Sequence, residues 1–505
     1  MLANLGQALS TVFELQTMLA VLLASLFGLV LGSIPGMSAT LGVSLLIPFT
    51  FFMDAVPAIA AIISMVAMAI FAGDIPSALL RMPGTPASAA YVDEAFLMTR
   101  RGQGALALGI GMVGSALGGL FGAFVLIGLA PALGRFAMKF SSTEYFWVAA
   151  LGLTAAVVIS SGSQIKGAIS LFFGLALSIV GMDPSFGQLR FTFGATSLSG
   201  GISFIPVMIG LFGLSEVLRN VTTPHAKIKE IPRVATKGYV KDSFKAIWRF
   251  KGKFMQGNVI GAIIGVLPGA GADIAAWISY AVAKVTSKEP RRYGTGYEEP
   301  LVAAGTANNA SLAAEFVPTL AFGIPGDSVT AILVGVLIMK GVTPGPMLFT
   351  QQASTLYAIY ILFIIANLLM LPLGFLYIKG ATNILKLPRA VLMAIVVAVA
   401  IVGAFALNSG KLEILMVLIF GLMGVLFERN GIPVAPAVLG LVLGSMVEQK
   451  FMMTVIKTNW NLGEFVTRPI SAVLAVLVVL MLFYPVFQRW LEKRNPDLKG
   501  MLDDQ

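Results

Sequence analysis

Five ionisable side chains stand inside otherwise apolar segments of this 505-residue chain: Asp74, Arg81, Asp273, Glu315 and Asp327. Charge in such segments is costly enough that these residues are functional candidates by default. Asp74, Asp273 and Asp327 are candidates to hold a coupling Na⁺ or H⁺. Arg81 can pair with a substrate carboxylate or with Asp74, one to two helical turns away. Four Pro-Gly pairs lie close by: Pro35-Gly36, Pro83-Gly84, Pro268-Gly269 and Pro325-Gly326. Proline removes a backbone donor and glycine allows a positive φ or a close approach, so each pair ends a helix and frees N–H or C=O groups. Small polar residues follow the breaks: Ser38, then Thr85 and Ser88, then Asp273, then Asp327 and Ser328. Helix N-termini among hydroxyls bind anions, and helix C-ends bind cations. Asn308 and Asn309 form a further polar island before the fourth break. Consecutive amides point different ways on a helix, so one coordinates or caps while the other meets a neighbour. Interhelical hydrogen bonding is the alternative role for either. The breaks, these amides and Arg81 form the candidate substrate site.

The elements that must position these residues are membrane spans. Of the residues 57% are hydrophobic and 11% charged, against roughly a quarter charged in soluble domains. No charge falls between Arg101 and Arg135, Lys340 and Lys379, Arg389 and Lys411, or Arg468 and Arg489. Each block suffices for a helix of about 20 residues crossing a bilayer. An all-α polytopic membrane protein with broken or re-entrant helices and about 10–12 spans follows.

The net charge of +10 is not spread along the chain: residues 219–253 hold ten Lys or Arg and two acids. This is a cytoplasmic linker by the positive-inside rule, not a nucleic-acid surface. Within it Val240, Phe244, Ile247 and Trp248 recur at helical spacing among lysines. Both a helix lying on anionic lipid and a solvated basic loop fit that pattern. Arg489, Lys493, Arg494 and Lys499 place the C-terminal tail in the cytoplasm, and an N-terminus without basic residues favours the periplasm. The first Lys or Arg is Arg81, so no cleavable signal peptide is indicated.

Self-comparison shows a repeat. GSIPG at 32–36 returns as GVLPG at 265–269, and PSALLRMPG (Pro76 to Gly84) returns as PTLAFGIPG (Pro318 to Gly326). Ser161 to Pro184 resembles Asn408 to Pro433, and Ile205 to Val217 resembles Ala435 to Val447. The order is kept, at offsets of 233, 242, roughly 247 and 230. The organisation expected is a first membrane repeat at 1–218, the linker at 219–253 with its possible interfacial helix, a second repeat at 254–468, an extra span at 469–490 and a tail at 491–505. An odd number of spans per half makes the halves inverted, a plan common in secondary transporters and also compatible with a purely architectural duplication.

Catalytic chemistry finds little support. There is no Cys and one His, His225, in the linker. Zinc sites and His-based triads are therefore absent, as is a phosphate-binding G-x-x-x-x-G-K-[ST] loop. No cofactor is expected beyond a coupling Na⁺ or H⁺.

GSIPGMSATLGVSLLIPFTF, ALLRMPGTPASAA, GVLPGAGADIAAWISYA, GTANNASLAAEFVPTLAFGIPG and KGVTPGPMLF together resemble the large membrane subunit of the tripartite tricarboxylate transporters, the TctA family, across almost the whole chain. The resemblance implies a bacterial inner-membrane, cation-coupled importer of di- or tricarboxylates, and alternating access, with one part of the repeat moving against a scaffold as in an elevator or otherwise, is the mechanism expected of it. It implies two partners, a small four-helix membrane subunit (TctB-like) and a periplasmic solute-binding protein (TctC-like). It implies uncharged residues at Arg81 and Asp327, where this chain departs. A self-sufficient carboxylate symporter and a non-transporting scaffold are the competing readings.

Overall fold

A computed structural model describes residues 2–35, 37–159, 163–183, 186–222, 238–267, 271–384, 389–408 and 410–494. Gly36, Pro268, Gly269, linker residues 223–237 and the tail from 495 lie outside the described residues. The chain is helical almost throughout. Along the first half run α1 (Leu2–Val12), α2 (Leu15–Gly32), α3 (Ala39–Thr50), α4 (Ala55–Ala72), α5 (Asp74–Leu80), α6 (Pro86–Ala89), α7 (Val92–Arg100), α8 (Gly104–Ala137), α9 (Ser142–Ile159), α10 (Gln164–Ser178), α11 (Phe204–Met208) and α12 (Ser215–Thr222). The second half continues with α13 (Tyr239–Arg249), α14 (Lys251–Val266), α15 (Gly271–Val285), α16 (Glu298–Phe322), α17 (Ser328–Met339), α18 (Pro346–Thr350), α19 (Ala353–Ile384), α20 (Arg389–Asn408), α21 (Lys411–Arg429), α22 (Ala435–Lys457) and α23 (Pro469–Arg494). Among the described residues five helices are long and apolar enough to cross a membrane, and five shorter helices are comparably apolar. Leu15, Leu19, Leu22, Leu23 and Leu26 are exposed along α2, as suits a face turned to hydrocarbon.

Two compact units divide the chain: Met1–Met138 with Ser203–Arg429, and Lys139–Ile202 with Asn430–Gln505. Each takes a piece from either side of the basic linker. In the first unit the repeat has a physical basis in close helix packing. A β-carbon at Gly28 or Gly32 of α2 would collide with the carbonyls of Met65 and Ala69 on α4. One at Gly261 or Gly265 of α14 would collide with those of Ala307 and Ser311 on α16. These glycines stand at the same 233-residue offset as the first pair of breaks, so one small-xxx-small contact is used twice. The broken segments also cross reciprocally: α3 packs on α17, and α15 on α6. At the centre lies α16, buried on all sides from Glu299 to Ala321.

The second unit is built from α9, α10, α22 and α23, with α22 packed on both α9 and α10. A short hairpin, β1 (Gly181–Met182) paired with β2 (Leu189–Arg190), interrupts the helices and has no counterpart in the sequence reading. Arg190 anchors it through a bidentate pair with Glu448, at 2.5 and 3.0 Å. Glu144 is fully buried and accepts from the Ser141 N–H (2.7 Å) and the Ser471 hydroxyl (2.7 Å) as well as the Arg468 guanidinium (2.8 Å). Removing it in Glu144→Ala strands those donors and is expected to cost roughly 2–4 kcal/mol. A lowered thermal midpoint of the detergent-solubilised protein checks this, and an unchanged midpoint contradicts it.

Candidate functional site

At the first break Ser38 caps α3, its hydroxyl accepting from Leu41 N–H at 3.1 Å. Pro35 is buried in the turn before it. Ser33 meets the Tyr377 hydroxyl at 2.8 Å, tying the break to α19.

The second and fourth breaks are built alike. After Pro83-Gly84, Thr85 and Ser88 cap each other's backbone N–H groups at 3.2 and 3.1 Å. After Pro325-Gly326, Asp327 and Thr330 do the same, both at 2.8 Å. The capping boxes stand at the 242-residue offset of the Pro-Gly pairs themselves. A capping box satisfies helix-end donors reciprocally, so the breaks are preformed rather than frayed. Gly84 is seated against backbone: its N–H donates to Gly73 O at 3.2 Å, and a β-carbon there would stand 2.6 Å from Gly73 Cα and 2.8 Å from Gly32 O. Gly326 faces a side chain instead, with Glu315 Cγ 2.8 Å from its notional β-carbon.

The third break connects to the second. Asp273, in the first turn of α15, accepts from the Ala87 N–H at 3.1 Å, and the Trp277 indole donates to Pro86 O at 3.3 Å. Asp273 and Trp277 are one helical turn apart, so a single face of α15 grips α6. At α6, Pro86 has no N–H, Ala87 gives its N–H to Asp273 and Ser88 gives its own to Thr85. Those donors are taken by the chain's own oxygens. Ser328 opens α17, partly buried.

The two amides part as expected. Asn309 reaches Ala67 O on α4 at 3.4 Å, while its oxygen has no partner. Asn308 is turned toward α7, beside the Tyr91 hydroxyl, and neither of its polar atoms is hydrogen-bonded although the residue is 1% exposed. Tyr91, also buried, donates to Asp74 Oδ1 at 2.7 Å. Asp74, Tyr91 and Asn308 thus bring α5, α7 and α16 to one polar point. The Arg81–Asp74 pair considered from sequence is not formed. Arg81 takes a left-handed conformation (φ 56) at the end of α5, its side chain turns outward, and it donates to Asp93 at 2.7 Å.

Glu315 lies within electrostatic reach of Asp327 and Asp273, with one carboxylate oxygen unpartnered. Among the described residues the fully buried charged side chains are all acids; no Lys or Arg is among them. Nor are any three His, Cys, Asp or Glu placed to hold a metal ion together. Sequence reasoning missed Tyr91, an ordinary aromatic in its local context. It also missed Glu94, a buried acid on α7 whose carboxylate accepts the N–H groups of Gly294 (2.5 Å), Gly296 (2.7 Å) and Tyr297 (3.1 Å). Glu94 thereby fastens the start of α16 to the second break.

Apolar spans and matched broken helices define a polytopic α-helical membrane protein. The chain belongs to the tripartite tricarboxylate transporter TctA family, which matches residues 18–439. It is therefore a membrane subunit of a tricarboxylate transporter. It is 32% identical over 472 residues to an uncharacterized 52.8 kDa protein in the TAR-I ttuC′ 3′ region of Agrobacterium vitis, covering 94% of this chain and 93% of that one. A protein in the TAR-II ttuC′ 3′ region of the same organism is 33% identical over 235 residues, covering 46% of this chain and 97% of its own length. No solved structure matches.

Proposed function

We propose that the chain is the translocating subunit of a binding-protein-dependent importer, carrying di- or tricarboxylates across the bacterial inner membrane with Na⁺ or H⁺. The observation that carries this reading is the orphan Asn308 amide, buried beside the Tyr91–Asp74 pair with no buried Lys or Arg among the described residues. An unpaired buried amide costs stability, so its retention suits a site completed by a ligand. The charge balance then decides how an anion enters. Two like charges about 6 Å apart repel by about 3 kcal/mol at an effective dielectric of about 20. A substrate with two or three carboxylates accumulates several such terms beside Asp74, Asp273, Glu315 and Asp327. It therefore binds together with protons or metal cations, which is the physical content of coupling.

Asn308 and the hydroxyls near the breaks orient the substrate, and the acids hold the coupling ions. The two halves, inverted about the midplane, give alternating access by moving one part against a scaffold, as in an elevator. A periplasmic solute-binding protein delivers the substrate, and a small four-helix membrane subunit completes the complex. The N-terminus lies in the periplasm, with the basic linker and C-terminal tail in the cytoplasm.

The test is uptake of labelled di- and tricarboxylates in cells producing this chain with its two partners. Accumulation that needs all three proteins and collapses when the Na⁺ and H⁺ gradients are dissipated is expected. Uptake that survives loss of this chain contradicts the reading. Asp74→Asn removes one buried negative charge while keeping an acceptor for Tyr91. It is expected to lower gradient-driven accumulation about tenfold or more, while exchange of substrate across the membrane persists. Full accumulation in Asp74→Asn contradicts a coupling role for Asp74.

A further inference from the structure

Away from the broken helices, two concave surfaces of the first unit share Arg249. One is polar, about 530 Å³, and includes Arg101, Gln103, Arg292 and Tyr297 in its walls. The other is apolar, about 560 Å³, and is formed by Phe244 and Trp248 between Lys241 and Lys245.

The amphipathic helix α13 builds the second surface. Tyr239, Ser243, Ala246 and Ile247 are buried, and α13 packs on α8. Phe244 and Trp248 remain 42% and 76% exposed, with Lys251 Nζ held 5.5 Å from the Trp248 ring. Exposed aromatics ringed by cations are the composition of a membrane-interface helix.

In the polar cavity two guanidinium groups are already paired, Arg249 with Glu298 and Arg292 with Glu289. Arg101 pairs with no carboxylate among the described residues and makes a single 3.4 Å contact with Gly296 O. One cation is thus left uncompensated in the cavity, with Lys241 and the Asp242-paired Lys245 at its apolar neighbour.

Position decides what anion this is. Arg101 and Gln103 directly precede Gly104–Ala137, a 34-residue helix long and apolar enough to cross a bilayer, and the end of a spanning helix meets the bilayer at headgroup depth. A polar, cationic compartment joined to an apolar one at that depth has the two-part chemistry of a phospholipid. We infer that this is a binding site for an anionic phospholipid, its phosphate beside Arg101 and its glycerol and acyl start along Phe244 and Trp248. The inference does not depend on the transport reading, because occupancy is read by binding alone.

The test uses the purified full chain in detergent, with thermal midpoints measured after adding phosphatidylglycerol, phosphatidylcholine or inorganic phosphate. Phosphatidylglycerol is expected to raise the midpoint by a few degrees, as a ligand of the native state does, and the other two to leave it unchanged. Arg101→Ala, and separately the exposed pair Lys241→Ala with Lys245→Ala, is expected to reduce the shift by half or more. Brominated phosphatidylglycerol is expected to quench tryptophan fluorescence in the parent and less in Trp248→Phe. Equal shifts with phosphatidylcholine overturn the proposal, as does a full shift with inorganic phosphate, which marks a soluble-anion site. A shift and a quench untouched by the lysine pair and by Trp248→Phe overturn it as well.

Discussion

Asn308→Ala is expected to lower carboxylate uptake about 100-fold or more while leaving the thermal midpoint of the purified protein unchanged or slightly raised. The pairing of these outcomes is what makes the test sharp. An amide that glues helices together loses roughly 1–3 kcal/mol of stability when truncated, because its partner is left unsatisfied. Asn308 makes no full hydrogen bond in a side chain 1% exposed, and its one polar neighbour, the Tyr91 hydroxyl, already donates to Asp74. Truncation removes that penalty and adds only a small cavity, so the two effects nearly cancel. A strongly destabilised Asn308→Ala protein shows a structural amide, and an active one removes Asn308 from the site. Asn309→Ala is the internal control, since it gives up a bond to Ala67 O and is expected to lose stability.

Gly84→Ala is expected to abolish uptake, and to do so more completely than Gly326→Ala at the matched position. The atoms that a β-carbon at Gly84 would meet are backbone, Gly73 Cα at 2.6 Å and Gly32 O at 2.8 Å. Neither can rotate away, so the second break must shift bodily, carrying Thr85, Ser88 and the Ala87 N–H that holds Asp273. Overpacking of this kind costs about 1–3 kcal/mol, enough to displace the break without preventing membrane insertion. At Gly326 the obstacle is Glu315, whose Cγ at 2.8 Å can swing away by a rotamer change, leaving only its Cβ at 2.9 Å to be relieved by a small shift of the helix. Uptake and membrane-fraction abundance of the two variants check the order. Equal activity in Gly84→Ala and the parent contradicts the placement of the break.

The breaks were legible in sequence because proline and glycine act through the local backbone, by a missing N–H and by freedom at φ. The uncharged blocks likewise became α8, α19, α20 and α23. The glycine contacts of α2 on α4 and of α14 on α16 stand at the offset of the first pair of breaks, and only the structure reveals them. What the residues could not reveal was pairing across the breaks. Asp74 and Arg81 share a segment, yet the left-handed Arg81 sends one to Tyr91 and the other to Asp93. Nothing local encodes that turn. The helix at Val240 to Trp248 was one of two readings that its periodicity left open, and its orientation was not legible. Ile247 is buried while Phe244 and Trp248 face outward, because the neighbour that covers a stripe is set by the rest of the fold. Glu94 escaped notice for the same reason, its partners being backbone groups some 200 residues away.

The absence of cysteine permits the most direct test of the central claim, that the solute passes at the breaks. Ser328→Cys places a single thiol at the first residue of α17, partly buried and next to the Asp327 cap. In cells producing the two partner proteins, a membrane-impermeant thiol reagent is expected to label that position, and saturating di- or tricarboxylate together with the coupling cation is expected to protect it. Labelling unaffected by any transported carboxylate, in a variant that still takes it up, would place the path elsewhere and contradict the account.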